Sequence, residues 1–247
     1  MFGGSSAVQV NLGLGISAGA FGNDILSGIE NVTTGSGGDT VFGSTANNRI
    51  KSGGGNDTVD GGSGNDIIEG EGGNDTLKGG SGNDTMRGGT GNDTMEGNGN
   101  NDYMEGNDGD DVMDGDSGND SVLGGNGNDS LRGGAGADTI NGGGGADVIR
   151  WNTGDLGLDS VLGFTIGQDK LAFGNGFLAA GDWEDNLLVF NNNGSAMLAA
   201  NTAEAGWQFI ANFVGVSAGA LDTAIEQGTV FGMVGGVGGG APGDVFF

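Results

Sequence analysis

The apolar positions of this chain recur every nine residues, a spacing that belongs neither to a long strand nor to an amphipathic helix. From Thr34 to Arg150 the sequence divides without a gap into thirteen nonapeptides, among them GGSGNDIIE (Gly61 to Glu69), GGSGNDTMR (Gly79 to Arg87) and GGNGNDSLR (Gly124 to Arg132). The eighth position is apolar in all of them: Val41, Ile50, Val59, Ile68, Leu77, Met86, Met95, Met104, Met113, Val122, Leu131, Ile140 and Ile149. One inward residue per nine suits a very short strand, because a helix needs three or four apolar positions per two turns. Each unit therefore predicts a six-residue turn followed by a three-residue strand. Glycines at positions one, two and four admit backbone angles that a residue with a Cβ resists.

The sixth position is as regular as the eighth. It holds Asp39, Asp57, Asp66, Asp75, Asp84, Asp93, Asp102, Asp111, Asp120, Asp129, Asp138 and Asp147, with Asn48 as the exception. Stacked in parallel at a sheet spacing of about 4.8 Å, equivalent carboxylates come within roughly 5 Å of one another. Two unit charges at that separation repel by about 0.8 kcal/mol in water, and by more where solvent is restricted. A column of them does not stack unaided.

The repeat, written G-G-x-G-x-D-x-U-x with U apolar, resembles the calcium-binding nonapeptide of the RTX (repeats-in-toxin, hemolysin-type) family. The resemblance implies an all-β fold, a parallel β-roll or β-solenoid, in which two nonapeptides make one coil and each calcium sits between turns of neighbouring coils. Calcium suits the problem, being a hard cation that takes six to eight carboxylate and carbonyl oxygens. Carried over, the metal ligands are the twelve aspartates named above, paired two repeats apart: Asp57 with Asp75, Asp66 with Asp84, Asp75 with Asp93, and onward to Asp129 with Asp147. Thirteen repeats give eleven such pairs, ten with aspartate on both sides, so about ten Ca2+ ions are expected; the pair Asn48 and Asp66 binds weakly or not at all. Ten ions would bring the formal charge from −26 to −6. Without them the Gly-rich, anionic chain has too little apolar surface to offset its conformational entropy, so folding and calcium binding are expected as one event.

Alternate repeats then lie on opposite sheets. One stacks Val41, Val59, Leu77, Met95, Met113, Leu131 and Ile149; the other stacks Ile50, Ile68, Met86, Met104, Val122 and Ile140. The four methionines in the middle read as flexible core packing rather than as a copper or haem site.

Composition narrows the chemistry. The 247 residues include no cysteine, no histidine and one proline. Without imidazole, a Ser-His-Asp triad, a Cys-His pair and an H-E-x-x-H zinc site are all excluded. So anionic a surface disfavours nucleic acid and anionic membranes as partners, and no apolar run is long enough for a membrane span. Met1 to Val10 has neither a basic region nor an apolar core, so no cleavable signal is read there. The recurring Asn-Asp-Thr and Asn-Asp-Ser triplets match a glycosylation sequon only as by-products of the repeat. A glycine period of nine rather than three excludes collagen. Asp108 to Asp116 imitates an EF-hand in composition only, since Val112 and Met113 stand where oxygen ligands are needed.

Four segments are expected. Residues 1–33 resemble the lead-in of RTX rolls and read as an N-terminal extension or cap, with a strand near Val8, Val10 and Leu12 that leaves an open edge. They include an isolated nonapeptide, GAFGNDILS (Gly19 to Ser27), which makes Asp24 a further candidate ligand. Residues 34–150 are the calcium-binding roll. Residues 151–231, where ten of the sixteen aromatics fall, form a mainly β capping domain, since solenoids need closed ends. The stretch Trp151 to Phe173 resembles the segment that closes an RTX roll, with Asp155, Asp159 and Asp169 as possible ligands, although Gly163 and Phe164 replace the family's Asp-Phe pair. Strands are predicted at Leu187 to Phe190, Ala196 to Ala199 and Trp207 to Val214. A short helix follows between an N-cap at Ser217 and a stop at Gly228, bearing Leu221, Ala224 and Ile225. Residues 232–247 are a flexible Gly-rich tail ending Asp244, Val245, Phe246, Phe247, which resembles a type I secretion signal.

These features predict a non-enzymatic, secreted bacterial protein with a structural role, in a cell-surface, matrix, filament or S-layer-like assembly. Its partners would be calcium, a type I exporter and, through the open N-terminal edge, other copies of itself. The alternative is a C-terminal secretion and folding module of a larger RTX exoenzyme or adhesin.

Overall fold

A computed structural model of the chain describes residues 5–19, 22–174, 187–203 and 205–226. Four strands precede the regular repeats: β1 (Val8–Asn11), β2 (Ile16–Gly19), β3 (Gly22–Ile25) and β4 (Asn31–Thr33). The repeats then give β5 (Thr40–Ser44), β6 (Arg49–Gly54), β7 (Thr58–Ser63), β8 (Ile67–Gly72), β9 (Thr76–Ser81), β10 (Thr85–Thr90) and β11 (Thr94–Gly99). They continue through β12 (Tyr103–Asp108), β13 (Val112–Asp114), β14 (Ser121–Asn126), β15 (Ser130–Arg132), β16 (Thr139–Gly144) and β17 (Val148–Trp151). Odd-numbered strands form one parallel ladder and even-numbered strands the other, so successive strands alternate between two sheets and two repeats complete a coil. The fold is a parallel β-solenoid.

Register follows the repeat without slippage. Val59 sits beside Leu77 and Val41 in one sheet, and Met86 lies between Ile68 and Met104 in the other. Every eighth-position residue is buried, the four methionines among them at 0–1% exposure. Burying each such side chain stabilises the fold by roughly 1.5–3 kcal/mol. Most of these strands run six residues, not the three expected, because they take in the first three positions of the following repeat. In β7 the buried positions are Val59 and Gly61. The second of them carries no side chain, so the hydrophobic pattern could not show it.

The ladders also run past both ends of the regular repeats. Val10 packs beside Val41, and Val32 beside Ile50. At the other end β18 (Asp159–Leu162) pairs with β16, and β19 (Lys170–Phe173) pairs with β17, bringing Val161 beside Ile140 and Leu171 beside Ile149. Trp151 stacks on Phe173 with ring centroids 5.7 Å apart.

The open edge expected near Val8 to Leu12 is not there. β1 is paired on both sides, parallel to β5 and antiparallel to β2. Antiparallel pairing of β2 with β3 carries the sheet outward, so β3 and β4 are the terminal strands at this end. The isolated nonapeptide is corrected with it: Gly22–Ile25 is antiparallel strand, not turn, and Asp24 is exposed opposite Ser17.

At the C-terminal end, β20 (Leu187–Asn192), β21 (Ser195–Thr202) and β22 (Gly206–Phe213) form an antiparallel meander with a bulge at Leu198/Ala199. β22 joins the roll by running parallel to β18. Helix α1 (Ala218–Glu226) packs against β20 and β21 and buries Leu221, Ala224 and Ile225. The Ser217 hydroxyl accepts from the Ala220 N–H at 3.3 Å, as an N-cap should. Gly228 and the tail at 232–247 lie outside the described residues. No helix among those described is long and apolar enough to cross a membrane.

Candidate metal centre

Each turn delivers its sixth residue to the start of a strand, so the aspartates form two columns along the roll. One holds Asp39, Asp57, Asp75, Asp93, Asp111, Asp129 and Asp147; the other holds Asn48, Asp66, Asp84, Asp102, Asp120 and Asp138. Within a column each Oδ1 after the first residue accepts the backbone N–H of the equivalent residue 18 positions earlier. The Asp57 N–H donates to Asp75 at 2.8 Å, Asp66 to Asp84 at 2.7 Å and Asp84 to Asp102 at 2.8 Å. The pairing two repeats apart is thus built into the backbone hydrogen bonding.

The second carboxylate oxygen is treated quite differently. In eleven of the twelve, from Asp57 to Asp147, Oδ2 is buried with no hydrogen-bond partner. Buried acceptors left in this state are costly and call for an explanation. The exception is Asp39, whose Oδ2 accepts from the Gly35 N–H at 3.2 Å and whose Oδ1 accepts from Val8.

Around the unclaimed oxygens from Asp66 to Asp147 the first-position glycine leaves room, whereas Asp57 has Ser52 in that place. A Cβ placed on Gly61 would stand 2.5 Å from Asp66 Oδ2 and 2.7 Å from the Gly79 carbonyl oxygen of the next coil. On Gly79 it would meet Asp84 Oδ2 at 2.5 Å and the Gly97 carbonyl at 2.9 Å. This glycine is therefore required for space, whereas positions two and four need a positive φ, as at Gly62 (97°) and Gly64 (107°). The result is a small cradle, repeated along both columns, into which one carboxylate oxygen and one carbonyl oxygen converge. No three acidic side chains gather at one point among the described residues, so the cradle's donors are mixed carboxylate and carbonyl, the set a hard divalent cation takes. Gly79→Ala fills one cradle while leaving the solvent-exposed surface unchanged. Its expected effect is the loss of one bound calcium in equilibrium dialysis, with the β circular dichroism of the loaded protein retained.

Burial pushes these carboxyls well above their ordinary value. Asp57, Asp66, Asp75, Asp93 and Asp129 rise to about 6, against the opposing pull of the backbone N–H each accepts. Asp102, Asp111 and Asp120 rise to about 7, with repulsion from column neighbours adding to burial. Asp84, Asp138 and Asp147 are raised too, chiefly by burial. A carboxyl whose folded pKa exceeds its unfolded one binds protons preferentially in the folded state. That contribution is complete below the unfolded value of 3.8 and is lost as pH rises through about 6 to 7. In EGTA, circular dichroism is expected to show more β structure in mild acid than in mild alkali, and the calcium midpoint should fall as pH rises. A pH-independent midpoint would contradict this.

Beyond the regular repeats the columns end on protein donors. The Asp138 N–H donates to Asp159 Oδ1 and the Asp147 N–H to Asp169 Oδ1, both at 3.1 Å. The Asp159 Oδ2 then accepts from Trp151 Nε1 at 2.9 Å, and the Asp169 Oδ2 from the Thr165 N–H at 2.6 Å. Both residues extend the ladder without an unclaimed oxygen. Asp155 stands outside the columns, bound to Arg132, which also bridges Asp114 at 2.7 Å. Asn48 occupies its column, but its Oδ1 accepts from Ser44 at 2.7 Å and its Nδ2 has no partner. That amide oxygen takes the place Oδ2 has at the aspartates, 2.6 Å from where a Cβ on Gly43 would stand, so the donor there is neutral and already hydrogen-bonded.

Two features have no counterpart in the sequence reading. Fifth-position asparagines form a second ladder, Asn47 accepting from Asn65 at 2.8 Å and Asn65 from Asn83 at 2.9 Å. Ninth-position residues pair across coils on the outer faces, as Lys78 with Glu96 at 2.5 Å and Arg87 with Glu105 at 3.2 Å. The recurrence of Asn at position five was a legible signal for the first. The ion pairs are exposed and worth at most about 1 kcal/mol each.

Fold and oxygen pairs together define a calcium-binding β-solenoid. Residues 33–68, 61–95, 87–122 and 123–155 each match the RTX calcium-binding nonapeptide repeat, and the chain belongs to that family. Among solved structures, the solution structure of a subunit of the Azotobacter vinelandii mannuronan C5-epimerase is 30% identical, covering 61% of this chain and 94% of that one with a TM-score of 0.39. The crystal structure of the extracellular lipase LipA from Serratia marcescens is 19% identical, covering 77% of this chain and 41% of the lipase with a TM-score of 0.40. No curated protein matches the chain.

Proposed function

We propose that this protein is a secreted structural β-roll that orders on meeting calcium outside the cell. The observation that carries the proposal is the set of eleven buried, unpartnered Oδ2 atoms in two columns. Asp57, Asp66, Asp75, Asp84, Asp93, Asp102, Asp111, Asp120, Asp129, Asp138 and Asp147 would hold the metal with first-position carbonyls, while Asp39 closes one column at its N-terminal end. Bound calcium supplies positive charge and further coordination to oxygens that the protein leaves unmatched.

In a low-calcium cytosol the aspartates repel, and the chain stays open enough to pass a type I exporter; outside, the same residues stack. In this reading residues 34–150 are the metal-loaded length, 1–33 and 151–231 close its ends, and 232–247 carry the export signal. The product is a surface, matrix or filament component. No catalytic role is proposed, since the organised polar groups serve the column. Equilibrium dialysis with radioactive calcium tests the ligand set: about ten ions per chain are expected at saturation, and a count of two or three would overturn it.

A further inference from the structure

The C-terminal meander presents an apolar face whose strands carry no charged residue. Its strands, of 6, 8 and 8 residues, contain no Asp, Glu, Lys or Arg, although 16% of the whole chain is charged. On the face turned away from the core, Leu188, Phe190, Trp207 and Phe209 stand 44–50% exposed. Phe190 and Phe209 meet edge to face at 5.4 Å. Together with Trp207 and Leu188 they wall a shallow cleft of about 170 Å³ floored by Ala199. Helix α1 already packs on β20 and β21, and β20 is the last strand of its sheet among the described residues.

Apolar surface gathered in this way marks an interaction site, and its charge identifies the partner. We infer that the meander face is the contact between two copies of this chain. A chain of formal charge −26, still −6 with ten calcium ions bound, repels its own kind away from this face. The meander strands offer apolar, hydroxyl and amide side chains only, so two copies can meet across them without bringing strand carboxylates together. A patch that is its own complement makes a two-fold, isologous contact, and aromatic anchors of this kind dominate such interfaces. The face is tied to the roll, since β22 runs along β18, whose Asp159 accepts from Asp138 at the end of an aspartate column. Pairing of copies is therefore expected only in the folded state. The inference rests on the assembly role proposed above, and names the surface that performs it.

Sedimentation equilibrium of the full chain in excess calcium, over a concentration series, tests it. The wild type should approach twice the chain mass, Phe209→Glu should raise the dimer dissociation constant at least tenfold, and Ile25→Glu at the far end should leave it unchanged. Circular dichroism of each variant checks the fold; if Phe209→Glu does not fold, Phe190→Gln carries the same expectation. A wild type that folds with calcium yet stays monomeric overturns the inference while the calcium-folding reading stands. Dimers that persist in the folded Phe209 or Phe190 variant also overturn it. So does quenching of Trp207 emission by a neutral polysaccharide such as dextran without any change in mass, which would make the face a glycan platform. A chain that gains no β signal with calcium removes the reading itself, and this inference with it.

Discussion

In excess EGTA near neutral pH the protein is expected to lose its ordered β signal and its compact size, and millimolar calcium should restore both in a single transition. The expectation follows from opposing magnitudes. Each native-only ligand at about a hundredfold its dissociation constant stabilises the fold by ~2.7 kcal/mol. Several such sites together exceed the roughly 5–15 kcal/mol that holds an ordinary domain folded. Against that, the thin core offers about one buried aliphatic per repeat, and the chain must order a Gly-rich backbone costing about 1–2 kcal/mol per residue. Eleven buried carboxylate oxygens without donors add to the cost whenever they are ionised. Far-ultraviolet circular dichroism and size-exclusion chromatography across a calcium titration give the answer. An EGTA-treated protein that melts like the loaded one would remove the metal from the folding account.

Asp102→Asn should have the largest effect of any single substitution that preserves shape. The native side chain accepts the Asp84 N–H at 2.8 Å, and its own N–H donates to Asp120 at 2.8 Å, so it stands between two successive cradles. Asparagine keeps the Oδ1 acceptor of the ladder but replaces Oδ2 with an NH2 group, which donates only and offers no lone pair to a cation. Calcium stoichiometry should fall by one or two ions and the folding midpoint should rise several-fold, while saturating metal restores the native β signal. Asp102→Ala is expected to be worse by about 1–3 kcal/mol, because it also strands the Asp84 N–H. Asp24→Asn, on the exposed β3, should change neither stoichiometry nor midpoint. Equal effects at 24 and 102 would show that overall charge, not the column, is being measured.

The contrast between these two aspartates shows what was legible. Both sit in the same nonapeptide pattern, and local sequence does not separate them. Asp102 has equivalents at every repeat on either side, and the family resemblance, which implies two repeats to a coil, names those 18 residues away as its neighbours. Asp24 has no regular repeat preceding it, and antiparallel pairing with β2 takes its segment out of the turn conformation. Asp159 and Asp169 fail in the opposite way. They reach the columns across spacings of 21 and 22 residues, which no nine-residue template reveals, and only the fold shows that Trp151 and Thr165 satisfy their second oxygens. The meander strands were readable from alternation and Asn/Gly turns, but their attachment through β22 to β18 rests on a contact about fifty residues distant in sequence.

By itself the sequence determined the repeating unit with its apolar and aspartate positions, because every unit restates the period, and the family resemblance it carries implied the two stacked columns and the pairing of residues two repeats, or one coil, apart. Tertiary structure alone decided where the columns stop, which carboxylate oxygen is left without a donor, and why the first-position glycines from Gly61 to Gly142 have no space for a Cβ. Those depend on which atoms of distant segments come within a few ångströms, and a periodic pattern carries no information about the place where its period ends.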